Sequence, residues 1–206
     1  MIPNQKRFWF AIAAVLLATW TAASVTAGVP TEQIRSTVDR AILVLKDPRL
    51  KPAAKTKERR DQLKQILFAR FDFTEMAKRA LGANWRSRTP KEQAEFVQLF
   101  TELLEHAYAD IIESYSEDKI VYVGERLDGS YADVASKVLA SNGAEYSLNY
   151  KAHLVNSEWR VYDVIAENIS VVNNFRSQFN RVITKSSYEE LVRRLREKAE
   201  FGSPKR

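Results

Sequence analysis

The chain has 206 residues, 45% of them hydrophobic and 28% charged, an ordinary globular mixture that is sufficient for one core. The absence of cysteine excludes disulfide bonds, cysteine-ligated zinc, a thiol nucleophile and a lipid-modified N-terminal cysteine. The formal net charge of +6 is a mild excess, too weak to argue for nucleic acid as a partner, and we expect none.

Residues 1–27 have the three parts of a secretory signal peptide. Lys6 and Arg7 form the positive region, and an apolar run of about 13 residues follows. This run is shorter than the roughly 20 apolar residues that a membrane span needs. Small side chains before position 28 predict a cut between Ala27 and Gly28. We therefore expect export to the periplasm, with one domain over 28–200 and a disordered tail over 201–206.

Apolar residues recur at helical spacing in the first half of the exported part, behind residues that cap helix starts. The strongest start is Thr89, Pro90 and Glu92, where the threonine and the glutamate can each bond to the other's backbone. The pattern predicts helices over 31–45, 58–69, 73–81 and 90–115.

After residue 118 the apolar period changes to two, which is typical of strands with one buried face. Short turns separate the runs and predict an antiparallel meander. The predicted strands are 119–125, 131–140, 146–154 and 159–166. Helices that begin after Ser170 and Ser187 close the chain. The fold class is therefore α+β: a four-stranded antiparallel sheet with N- and C-terminal helices packed on one face.

Residues suited to catalysis are scarce. The two histidines, His106 in a helix and His153 on the polar side of a strand, belong to no catalytic or metal-binding motif. We expect no cofactor, no metal, no catalytic residue and no enzymatic activity. Asp133 and Asp163 lie in predicted strands, and a carboxylate on a sheet can act as a general base. An isomerase or hydrolase is therefore the less favoured alternative.

Large aromatic and aliphatic side chains are abundant, and composition leaves two interpretations open. They can fill an ordinary core, as in a structural adaptor, and composition favours this. They can instead line an apolar cavity between sheet and helices. Each buried methylene contributes about 0.8 kcal/mol, so such a cavity could extract a lipid without any catalytic group.

Two clusters of basic residues are either solvated faces, which is the default, or docking surfaces for an acidic partner or anionic headgroups. The first basic cluster comprises Lys51, Lys55, Lys57, Arg59, Arg60 and Lys64. The second basic cluster comprises Arg193, Arg194, Arg196 and Lys198.

Four blocks of the sequence resemble the MlaC-type proteins, also called toluene-tolerance proteins. Residues 70–85 are similar to that family's FDF-x-E-M-A and LG-x-x-W signature, and 89–100 to its helix with E-Q-x-x-F-x-x-LF. Residues 159–164 are similar to its W-K-V-Y-D-V, and 169–179 to its V-S-L-V-x-N-Y-R-x-Q-F. Asn168 replaces a usual glycine, and asparagine still tolerates a left-handed turn.

The resemblance implies a cone-like fold with an apolar cavity and a periplasmic, non-enzymatic carrier of phospholipid. It implies as partners an outer-membrane lipoprotein–porin complex and an inner-membrane ABC lipid transporter with its substrate-binding component, and a role in outer-membrane lipid asymmetry. Relatives tied to hopanoid biosynthesis share much of the pattern, so a hopanoid or other polycyclic lipid is the alternative cargo. The strand face and helix stripes predict acyl-chain contacts at Phe100, Leu104, Tyr108, Tyr146, Leu148, Tyr150, Tyr162, Val164, Phe175 and Phe179.

Overall fold

The computed structural model describes residues 29–113 and 119–197. The predicted signal peptide with its cut site, the predicted tail and the end of the helix predicted to reach 115 lie outside the described residues. The elements in chain order are α1 (Val29–Lys46), α2 (Thr56–Phe68), α3 (Phe73–Leu81), α4 (Pro90–Glu113), β1 (Lys119–Asp128), β2 (Tyr131–Leu139), β3 (Glu145–Val155), β4 (Glu158–Ala166), β5 (Ile169–Ser170), α5 (Val171–Lys185) and α6 (Tyr188–Arg196).

Side-chain caps start the helices where the sequence predicts them. Asp72, Ser170 and Ser187 each accept a hydrogen bond from the backbone N–H three residues later, at 2.8, 3.0 and 3.2 Å. Thr89 N donates to Glu92 Oε2 at 2.7 Å, and Glu92 N donates back to Thr89 Oγ1 at 3.3 Å. These bonds satisfy backbone groups that a helix start leaves without a partner, which confirms the predicted starts.

The chain turns sharply at the end of α3. Gly82 has a φ of 61°, in the left-handed region where a side chain is strained. The Arg176 side chain from α5 lies over this glycine, and its Nε donates to the Arg79 carbonyl at 2.6 Å. The last turn of α3 is therefore fixed to α5, and a 3₁₀ segment, Gly82–Ser87, leads on toward α4.

The five strands form one antiparallel sheet in the order β1-β2-β3-β4-β5. Asn156 and Ser157 turn the chain between β3 and β4 with φ of 49° and 66°. Glu167 and Asn168 do the same after β4, with φ of 47° and 65°, so asparagine does adopt the expected turn conformation. This second turn brings Ile169–Ser170 back against β4 as a fifth strand, where four were predicted. Two residues are too few to show an alternating pattern, which is why β5 was not predicted.

The apolar core has two parts. The sheet cluster lies between α1 and one face of the sheet, and its buried members are Ile34, Ala132, Val134, Tyr150, Ala152, Trp159 and Val161. The helical cluster lies among α3, α4, α5 and α6 and includes Tyr162 of β4. Phe71 forms a parallel bridge with Val161 and packs against both clusters. The predicted α+β class with an antiparallel sheet is confirmed.

Candidate functional site

Four of the predicted acyl-chain contacts that lie on helices are together in the helical cluster. Leu104, Phe100, Phe175 and Phe179 are all buried there. The Phe100 ring lies edge-on to Phe175 and Phe179, with centroids 5.5 and 5.8 Å apart, and is stacked with Phe96 at 6.1 Å. These are favourable separations for aromatic pairs. The three phenylalanines of the predicted set therefore have other aromatic rings as their immediate neighbours.

Three more predicted contacts lie on the sheet. Tyr150 of β3 is buried and pairs in register with Val164 of β4. Leu148 lies two residues before Tyr150 on the same face, and both Leu148 and Val164 are partly buried against the sheet cluster. Tyr146, at the start of β3, is 48% exposed. The structure thus brings Leu148, Tyr150 and Val164 together and leaves Tyr146 at the surface.

Tyr162 is the strand residue that joins the helical cluster. β4 has an extra residue opposite the junction of Lys151 and Ala152, because Lys151 pairs with Asp163 and Ala152 with Val161. Tyr162 is that extra residue, and the bulge lets it join the helical cluster while its neighbour Val161 belongs to the sheet cluster.

Tyr108 lies on α4 and borders the helical cluster. It is partly buried against the helical cluster. Burial raises the pKa of Tyr108, and the negative charge of Asp163 on β4 raises it further. Tyr108 is therefore a side chain of the helices that contacts the core and still keeps accessible surface.

Partly buried apolar side chains border both clusters. On the helices they include Val97, Leu103 and Tyr108, and on the sheet Leu148 and Val164. These side chains are in contact with the core and still retain surface, so an apolar ligand could cover them. They are a better candidate surface for a lipid chain than the fully buried phenylalanines.

Tyr122 is a residue of this region that the sequence did not single out. It packs against the sheet cluster, and its hydroxyl is buried without a hydrogen-bond partner among the described residues. Burial raises the pKa of Tyr122. Residues 120–123 read as one continuous apolar run, and a register shift between Tyr122 and Gly124 breaks the alternation. The sequence therefore gave no indication of which side chain points inward.

Neither strand carboxylate is arranged as a general base. Asp163 is buried, with one oxygen accepting from Val172 N at 3.1 Å and the other from Ser170 Oγ at 2.6 Å, so it anchors the start of α5. Asp133 accepts from Lys151 and Arg126 at 2.8 and 2.7 Å. Partial burial opposes ionisation of Asp133, but these two cations prevail and hold its pKa below the ordinary value. A lowered pKa makes a carboxylate a poorer base.

The histidines are equally remote from catalysis. His106 is exposed on α4. His153 is partly buried, where the sequence predicted a surface residue, and its Nε2 lies 3.0 Å from Asp72 Oδ2. Since Asp72 also caps α3, this contact joins the start of that helix to β3. Its role is structural.

The described ranges contain neither a metal-binding cluster nor a membrane-spanning helix. Residues 29–113 and 119–197 contain no group of three or more histidine, aspartate or glutamate side chains placed to hold a metal ion. None of the helices in the same ranges is long and apolar enough to cross a membrane.

The described residues define an α+β domain with two apolar clusters and structural roles for its strand carboxylates. The chain belongs to the MlaC protein family, whose model matches residues 35–197.

Three relatives illustrate this membership. The chain is 28% identical to the toluene tolerance protein ttg2D of Pseudomonas putida, over 80% of this chain and 78% of that one. It is 25% identical to the intermembrane phospholipid transport system binding protein MlaC of Haemophilus influenzae, over 59% of each chain. The phospholipid-binding protein of Ralstonia solanacearum, solved with a bound phospholipid, has a TM-score of 0.72 and 26% identity, over 83% of this chain and 96% of that one.

Proposed function

We propose that this protein binds phospholipid and carries it between membranes. The observation that carries the proposal is the structural similarity to a protein solved with a bound phospholipid, which extends over 83% of this chain. The name of the Haemophilus influenzae relative, a binding protein of an intermembrane phospholipid transport system, supports the transport part. The structural roles of Asp133 and Asp163 support a carrier without enzymatic activity.

We assign the acyl chains to the partly buried surface of Leu148, Val164, Leu103 and Tyr108. These side chains border the two clusters, so a hydrocarbon chain laid against them would cover apolar area that is now accessible. Each buried methylene contributes about 0.8 kcal/mol, so binding would need no charged group in the apolar part. In this assignment Phe100, Phe175 and Phe179 hold the helices together behind the site.

The proposed location is the periplasm, after removal of residues 1–27 as a signal peptide. The proposed partners are an outer-membrane lipoprotein–porin complex and an inner-membrane ABC lipid transporter with its substrate-binding component. The proposed cellular role is to maintain outer-membrane lipid asymmetry. Support comes from the family membership and from the positive and apolar regions of the first 27 residues.

A pair of variants on one strand tests the binding site. Leu148→Asp places a carboxylate on the partly buried surface, whereas Leu154→Asp places the same charge on the same face of β3 at a residue that is 44% exposed. Each protein is first incubated with donor vesicles that contain labelled phosphatidylglycerol, which loads it with lipid. The loaded protein is then mixed with acceptor vesicles. We expect Leu148→Asp to lose loading and transfer, and Leu154→Asp to keep both.

Two results would contradict this proposal. One is full loading and transfer by a folded Leu148→Asp protein, checked by circular dichroism. The other is the absence of protein-dependent transfer by the unaltered chain. If the lipid extracted from natively purified protein has the mass of a polycyclic lipid instead of a phospholipid, the cargo would be hopanoid-like.

A further inference from the structure

The outward face of α5 is basic and lacks acidic residues. The helix has no aspartate or glutamate over its 15 residues, Val171–Lys185. Its opposite face is buried through Val172, Phe175 and Phe179. The exposed side chains, which we call the α5 face, are Asn173, Arg176, Ser177, Asn180, Arg181, Thr184 and Lys185.

Helix geometry places the cations of the α5 face along its margins. At about 100° per residue, Arg176 lies at one margin and Arg181 and Lys185 at the other, with the neutral polar side chains between them. From Arg176 to Lys185 the axial rise is about 13 Å. Arg86 adds another exposed cation on the 3₁₀ segment that begins at Gly82, the glycine that Arg176 covers.

Many cations of the two basic clusters pair with carboxylates within the fold. In the first basic cluster, Lys55, Lys57 and Lys64 pair with carboxylates at 2.7, 2.7 and 2.8 Å. In the second basic cluster, Arg193 and Arg194 share Glu190, and Arg193 also pairs with Glu197. Such pairs project little net field into solvent.

The cations of the α5 face differ in this respect. Within residues 29–113 and 119–197, no carboxylate lies in ion-pair distance of Arg86, Arg176, Arg181 or Lys185. Arg176 uses its Nε on the Arg79 carbonyl, which fixes the side chain in place. The α5 face thus presents several unneutralised positive charges at defined positions.

We propose that the α5 face, together with Arg86, holds the protein against an anionic lipid surface. None of the large exposed apolar side chains in the described ranges lies on α5. Tight protein interfaces are anchored mainly by tryptophan, tyrosine and arginine, and this face presents no aromatic side chain, whereas a plane of phosphates needs only spread cations. The attraction is diffuse and screened by salt, so the contact is readily reversed. This attachment goes beyond the proposed cargo and does not depend on it.

A double variant at the far margin tests this surface. Arg181→Gln with Lys185→Gln removes two cations and spares Arg176, which has a role at the end of α3. The matched control, Arg49→Gln with Lys57→Gln, removes the same two residue types at sites where side chains are 87% and 89% exposed and paired with Asp47 and Asp61. Binding is measured by flotation with phosphatidylcholine vesicles, with and without phosphatidylglycerol, at low and high salt.

We expect the unaltered protein to bind only the vesicles with phosphatidylglycerol, and only at low salt. The α5 variant should bind them about 30-fold more weakly, and the control variant as the unaltered protein does. Absence of binding to these vesicles at low salt would refute the attachment. Equal weakening of vesicle binding in both double variants would also refute it, because net charge alone would then explain the binding. Binding to soluble polyglutamate without binding to vesicles would refute it in favour of an acidic protein.

The same samples keep this inference separate from the proposed function. The phospholipid content of each purified variant is measured beside the flotation. Absence of internal phospholipid with intact vesicle binding would contradict only the proposed cargo. Normal phospholipid content without vesicle binding would contradict only the attachment.

Discussion

Replacement of Phe100 by alanine tests whether this residue belongs to the packed core or lines the lipid site. Its side chain is fully buried, and three aromatic rings surround it at 5.5 to 6.1 Å between centroids. Because the surrounding rings come from both α4 and α5, the cavity left by alanine cannot collapse by a shift of one side chain. We therefore expect a large loss of stability in the protein without lipid.

The expected loss of unfolding free energy is about 4 kcal/mol, within the range of roughly 3–5 kcal/mol found for phenylalanine to alanine in cores. Phe100→Leu retains most of the volume and should lose about 1 kcal/mol. Tyr146→Ala is the control, because Tyr146 is 48% exposed, and it should change the free energy by less than about 0.5 kcal/mol.

Urea unfolding of delipidated protein, followed by circular dichroism, measures these differences, and unchanged slopes with denaturant would show that two-state unfolding is kept. A Phe100→Ala protein that loses less than about 1 kcal/mol when delipidated, but no longer binds phospholipid, would refute the reasoning. It would mean that Phe100 faces an open space that the lipid fills.

Three further changes have defined outcomes. Asp163→Asn should lower the unfolding free energy by about 1–3 kcal/mol and leave lipid loading intact, since Ser170 Oγ and Val172 N donate to different carboxylate oxygens and the amide replaces one of them by a donor NH2 group. Gly82→Ala should cost about 1–3 kcal/mol because φ of 61° with ψ of −129° is a conformation that only glycine adopts readily. Hydrogen bonds from two arginines of α6 lower the pKa of Glu190 to about 2. The Glu190 carboxylate therefore stabilises the fold fully above its ordinary pKa of 4.5, and this contribution to stability is lost as the pH falls toward 2. The difference in Tm between the unaltered chain and Glu190→Gln should therefore shrink over that interval.

Thermal and urea unfolding provide the measurements for all three. Loss of lipid loading in a folded Asp163→Asn protein would favour an enzymatic or ligand-binding role for this carboxylate over a structural one. Unchanged stability of Gly82→Ala would show that the end of α3 is less constrained than its geometry indicates. A Tm difference for Glu190→Gln that stays constant from pH 4.5 to 2 would contradict the lowered pKa.

The fold was predictable where the signal is local. The caps at Asp72, Thr89, Ser170 and Ser187 depend on residues three positions apart, and the strands on alternation within each strand. The fifth strand and the bulge at Tyr162 were not predictable, because each depends on how β4 pairs with another strand. No pattern within the strand itself encodes either feature.

The candidate site was predictable only in part, because residue type does not reveal whether an apolar side chain meets a neighbour or an open space. Phe100 and Leu148 look alike in sequence, yet one is enclosed by rings and the other keeps accessible surface. In the same way, residue type does not reveal whether a charged side chain is neutralised by a neighbour. Lys64 is neutralised by Glu105, 41 positions later, so a run of cations in sequence did not identify the surface that remains positive.

Native mass spectrometry of the protein, purified from the periplasmic fraction without detergent, tests the central claim most directly. The account predicts a protein–lipid complex whose lipid, once released and fragmented, has the mass and headgroup of a phospholipid. A protein that is recovered from that fraction folded and free of lipid, and that stays so after incubation with phospholipid vesicles, would contradict it.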